Sequence, residues 1–154
     1  MNRNEIIIEI KKYFRIEELV CEHTFNKFGQ NSWQFLSTEI LHSLLIVRRD
    51  ILKVGMVIND YAFGGKNTQR GLRCNICPLV KEKTALNKIY LSAHNTGNGF
   101  DAVSGKITAS EMRKKIDEKA GLLPYPIRLE NDATWLHLDT YDYLNGDKIN
   151  YFNG

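Results

Sequence analysis

Several features are scarce in this chain, and each scarcity excludes something. Three cysteines among 154 residues cannot all pair with one another, so a disulfide scaffold is excluded. No apolar run approaches the roughly 18 residues that a membrane-spanning helix needs, so no membrane partner is expected. A dominant charge is missing too. Lys and Arg number 21 against 18 Asp and Glu, and a formal +3 does not by itself indicate a nucleic-acid partner. The opening Met1-Asn2-Arg3-Asn4-Glu5 lacks a secretory pattern, so a reduced protein made in the cytoplasm is expected. Repeats and low-complexity stretches are absent. What is present is ordinary globular material, 43% hydrophobic and 25% charged. Residues 1–154 suffice for one domain with its own core.

The strongest periodic segment runs from Ile40 to Leu52. Its apolar residues recur at helical spacing, with Ser37 or Thr38 as N-cap and Gly55 as terminator. Asn4–Phe14 predicts a shorter helix and Ile16–Val20 one further turn. Thr108 and Glu111 form a capping box before a helix whose Met112, Ile116 and Ala120 share a face. Strands are predicted at Met56–Asn59, at Ile89–Ala93 as a buried strand, and at Ile127–Glu130 and Thr134–Asp139. The last two read as a hairpin turning at Asn131-Asp132, and Asn145-Gly146 leads to an edge strand at Lys148–Phe152. Between Tyr61 and Lys88 the chain reads as irregular and basic. The order of elements implies an α+β fold, helices packed on a small, largely antiparallel sheet.

Two segments carry chemistry. In the first, His94 begins a turn containing Gly97 and Gly99, which can bring Asp101 back beside it. In the second, His137 shares a strand face with Trp135 and Asp139. Two imidazoles and a carboxylate make an acceptable three-ligand zinc set with a position left for water. By spacing alone, the same residues also fit a hydrogen-bonded core histidine and a plain turn.

The pattern S-x-H-x-x-G-x-x-x-D at Ser92–Asp101, followed by W-x-H-x-D at Trp135–Asp139, resembles the D-alanyl-D-alanine metallopeptidase family. That family comprises D-Ala-D-Ala carboxypeptidases and dipeptidases and phage L-alanyl-D-glutamate endolysins. It shares a hedgehog-like zinc fold. Phe14-Arg15-Ile16-Glu17-Glu18-Leu19 is similar to its opening F-x-x-x-E-L element. The resemblance covers roughly Tyr13 to Thr140. It implies a catalytic zinc held by His94, Asp101 and His137, and a peptidoglycan stem peptide as substrate. It also implies a catalytic Glu or Asp shortly before the second histidine. Three residues before is Thr134, which cannot serve, so Glu130 and Asp132 are the candidates. A two-residue turn would pair Glu130 with Ala133, on the face of Trp135 and His137, and leave Asp132 in the turn. The substrate carboxylate would be held by Arg70, or by Arg73, in the loop before the first ligand. Ser92 is a substrate-side candidate, and Asp139 would orient a ligand histidine.

The cysteines pose a separate question. Cys74 and Cys77 form a C-x-x-C, and Cys21 with His23 lies far upstream. Together they could close a Cys₃His structural zinc site that pins the basic loop to the N-terminal region. Three reduced thiols are the plain alternative.

The expected function is therefore a zinc metallopeptidase, a hydrolase of cell-wall peptides acting at or near a D-amino acid. It would reach the wall by phage-type release or on a virion. The alternative is a non-catalytic zinc-fold module of phage or prophage origin. A nucleic-acid binder using the basic loop is a weaker third reading.

Overall fold

Capping residues set the helix starts in the N-terminal half. The computed structural model describes residues 1–154. Helix α1 (Arg3–Ile10) begins where Asn2 accepts the Glu5 N–H and the Glu5 carboxylate accepts the Asn2 N–H. It ends earlier than the expected Phe14, in a turn at Lys11–Tyr13. Short α2 (Ile16–Leu19) and α3 (Glu22–Phe28) follow, then a 3₁₀ stretch at Gly29–Phe35. Helix α4 (Thr38–Ile46) starts at Ser37, whose hydroxyl accepts the Ile40 N–H at 3.1 Å. It widens into π-helical turns at Val47–Leu52, which keeps Val47, Ile51 and Leu52 all buried. Left-handed Lys53 ends it at φ 58°, so the expected terminator Gly55 lies beyond the cap. The buried Ile6 and Ile10 of α1 join Leu41, Leu44 and Leu45 of α4 in the main core.

The sheet has four strands, β1 (Gly99–Ala102), β2 (Ile127–Glu130), β3 (Leu136–Asp139) and β4 (Ile149–Phe152), in the order β1-β3-β2-β4. β3 is antiparallel to both β1 and β2, but β4 joins β2 in parallel. The fold is α+β with a mixed sheet, which corrects the expectation of a largely antiparallel one. The reason is geometric. The chain reverses after β3, both sides of β3 are taken, and β4 docks on the outer edge of β2. Two strands that are each antiparallel to β3 are parallel to one another. Helix α6 (Ala109–Glu118) has the expected capping box, with Thr108 accepting the Glu111 N–H and Glu111 accepting the Thr108 N–H. It buries Met112 and Ile116 in the same core.

Between α4 and β1 the sequence-based expectations fare worst. Met56–Asn59 supplies one bridge, Val57 to Val103, rather than a strand. The basic segment is not wholly irregular, because Pro78 at the first helical position opens α5 (Pro78–Ala85). Ile89–Ala93 is not a buried strand, and Ile89 and Leu91 are 90% and 71% exposed. No strand lies alongside it, and the chain must turn at once, closing with Asn98 N–H to the Ala93 carbonyl at 2.8 Å. No helix is long and apolar enough to cross a membrane.

Candidate metal centres

Two groups of ligand-type side chains converge, with the ligand atoms of each group within 4.8 Å of one another. The first is His94, Asp101 and His137, all buried. The β1–β3 register makes Asp101 and His137 direct partners on one sheet face. His94 comes in from the turn. That turn depends on Gly97, which has φ +70°, and a Cβ there would overlap the Phe35 carbonyl.

Hydrogen bonds behind each imidazole decide which nitrogen faces inward. The Gly71 carbonyl lies 2.9 Å from His94 Nδ1 and can only accept, so Nδ1 carries a proton and Nε2 faces Asp101 at 3.3 Å. The Asp139 carboxylate accepts from His137 Nε2 at 2.8 Å, which turns Nδ1 toward Asp101 at 2.7 Å. Asp139 is fully buried and clamped by Arg128 through two bonds of 2.9 and 2.8 Å. Arg128 lies over Phe152, Tyr141 and Tyr143, and the Phe152 ring meets His137 edge-on.

Burial opposes charge in this cluster, and its contacts overcome burial. Burial pushes the Asp101 carboxyl up, yet hydrogen bonds from His137 and His94 hold it well below the usual carboxylate range. Burial pushes the His137 imidazole down, yet Asp101 and Asp139 hold it up at about 9. Burial likewise raises Asp139, and His137 and Arg128 bring it down. The donor set fits a divalent cation. Two inward nitrogens and a carboxylate converge, with outward partners already placed. A cation there would replace the proton that His137 Nδ1 shares with Asp101.

The second group is Cys21, His23, Cys74 and Cys77. None of the cysteines is in a disulfide. A zinc tetrahedron has sulfur–sulfur edges of about 3.8 Å and sulfur–nitrogen edges of about 3.6 Å. Cys74 Sγ lies 3.8 Å from Cys77 Sγ, and His23 Nδ1 lies 3.7 and 3.8 Å from the two sulfurs. The neighbouring Cys77 and Thr24 push the Cys21 thiol down, while Cys21 and burial push the Cys77 thiol up. The chain therefore holds a group that can bind a metal ion through three sulfurs and one nitrogen.

The other predicted site residues are placed as follows. The two-residue hairpin is not formed. β2 and β3 pair Arg128 with Asp139 and Leu129 with Leu138, so the turn is longer than Asn131-Asp132. The same register carried one residue further brings Glu130, not Ala133, level with His137. The Glu130 carboxylate packs so close to Gly154 that a Cβ there would overlap it. Asp132 is exposed in the turn, at φ 55°. Arg73 is committed, reaching Asp101 at 3.3 Å and the Tyr90 hydroxyl at 3.2 Å. Arg70 has a buried guanidinium nitrogen, Nη1, with no hydrogen-bond partner. Ser92 bonds to Asn95 and not to the triad. The remaining histidine, His42, belongs to neither group and packs edge-on against Tyr125.

Sequence reasoning missed Arg128, the Gly71 carbonyl and Arg113, which donates to the Trp135 and Ala133 carbonyls just before β3. Period-2 alternation places Arg128 on the face of Glu130, a signal for the first of these. A backbone carbonyl leaves no signal in side-chain chemistry.

No family model, curated protein or solved structure matches this chain.

Proposed function

We propose that the chain is a zinc-dependent peptidase of the D-alanyl-D-alanine metallopeptidase type, with a hedgehog-like zinc fold, that cuts a peptidoglycan stem peptide at or near a D-amino acid. The observation that carries the proposal is the triad. His94 Nε2, Asp101 and His137 Nδ1 converge, and the Gly71 carbonyl and Asp139 hold the outward nitrogens. These three residues would hold the metal, whose contribution is to polarise the scissile carbonyl and acidify water. Glu130 is assigned proton transfer, because the strand register brings it level with His137 while Asp132 points to solvent in the turn. Arg70 is assigned the substrate carboxylate, because Arg73 is already spent on Asp101 and Tyr90. Zinc in the Cys₃His group would have the structural role, since four protein ligands leave no position for substrate.

One observation favours a second reading, a zinc-fold module without turnover. The Glu130 carboxylate rests on Gly154 and makes no hydrogen bond to the triad. A single experiment separates the two. The purified protein is assayed for bound metal and for cleavage of a panel of stem peptides, beside Glu130→Gln. The peptidase reading requires cleavage by the wild type, with turnover falling about 10²–10⁴-fold in the variant at unchanged metal content. Metal bound with no cleavage of any peptide supports the module instead.

A further inference from the structure

We infer that the Cys₃His centre positions His94, so that its occupancy sets the metal affinity of the His94–Asp101–His137 triad. The inference rests on the reading of the triad as a metal site.

The link is the short stretch from Arg70 to Cys74. The Arg70 carbonyl accepts the Asp101 N–H at 2.8 Å. The Gly71 carbonyl accepts from His94 Nδ1 at 2.9 Å and so decides which His94 nitrogen faces inward. The Arg73 N–H donates to the His94 carbonyl at 3.1 Å, and its guanidinium reaches Asp101. The next residue, Cys74, is a ligand atom of the other centre.

This stretch has little support of its own. It lies in no helix or strand, and its partner is the residue run after α2. Leu72 N–H donates to the Leu19 carbonyl and Cys21 N–H to the Leu72 carbonyl, both at 2.9 Å, around a single Val20–Leu72 bridge. Asn59 adds a clamp, accepting the Arg70 N–H and donating to the Val20 carbonyl. The approach is so close that a Cβ on Gly71 would overlap the Leu19 carbonyl. Cys21 extends one side of this bridge and Cys74 the other. A metal bound by both cross-links the two sides just where the Gly71 carbonyl must be held. Without it, a few backbone hydrogen bonds keep that carbonyl in place. Outer partners of this kind are worth about 10–100-fold in metal affinity.

The test uses full-length protein and cobalt(II), whose thiolate absorption marks the Cys₃His centre and distinguishes it from the triad. In His23→Ala/Cys74→Ser, triad affinity for cobalt is expected to fall about 10–100-fold. A variant with wild-type circular dichroism and triad affinity within about twofold of wild type overturns the coupling. The reverse measurement guards against a variant that does not fold. Coupling between two binding sites is reciprocal. The Cys₃His centre should therefore release metal to a competing chelator about 10–100-fold more readily in His137→Ala than in wild type with its triad loaded. Equal release overturns the coupling even though the triad binds metal. A wild type that binds cobalt only with the thiolate signature overturns the triad reading itself, and the coupling with it.

Discussion

The two candidate centres are built on opposite plans. The Cys₃His group comes from loop and helix-start residues, Cys21 before α3 and Cys77 before α5. The three spacings among His23, Cys74 and Cys77 match the edges of a tetrahedron around an ion, and Cys21 would supply the fourth ligand. The triad takes two of its three members from paired strands, and its members already satisfy one another through hydrogen bonds. Its inward atoms are aimed by a second layer, the Gly71 carbonyl, Asp139 and Arg128. The difference teaches what each centre can do. A closed four-ligand shell would hold parts of the chain together, whereas three ligands, two of them on a sheet, would leave a coordination position open.

The comparison breaks most completely under ligand removal. His137→Ala should reduce bound metal from about two ions per chain to about one and leave the thiolate-bound ion in place. Metal analysis of the purified variant checks this, and loss of both ions would show that the centres are not separate. Arg128→Ala sharpens the role of the second layer. It strips the buried Asp139 of its clamp, and leaving a buried charge short of its partner typically costs about 3–5 kcal/mol. Chemical denaturation of the metal-free protein reads this directly, and a loss below about 1 kcal/mol would place Asp139 in a wetter site than the structure shows. The smallest effect serves as a baseline away from both centres. Ser37→Ala removes the α4 cap and should cost about 1 kcal/mol with metal content unchanged.

How far each centre could be read in the sequence follows from how it is built. The triad residues stand in two short motifs, so their types and local spacing point to them together. A two-residue turn puts Glu130 on the face of His137 by pairing it with Ala133, whereas the actual register, with Arg128 meeting Asp139 across the ladder, reaches the same face by another pairing. Arg70 and Arg73 look alike in the sequence. Only packing separates the one that is paired from the one with an unpartnered nitrogen. The four residues of the Cys₃His group could be named from residue type, but nothing local sets the distance between Cys21 and Cys74. The Ile89–Ala93 run shows the opposite failure, because an apolar stretch becomes a buried strand only if a neighbour is there to pair with it.

By itself the sequence determined the helix start at Thr108, narrowed that of α4 to Ser37 or Thr38, and set the two apolar helix faces and the ligand-type residues. All of these depend on side chains within a few positions of one another. The tertiary structure decided the parallel placement of β4, the inward nitrogen of each histidine and the meeting of Cys21 with Cys74. Each of these is set by a partner distant in sequence, often a backbone group that every residue carries alike.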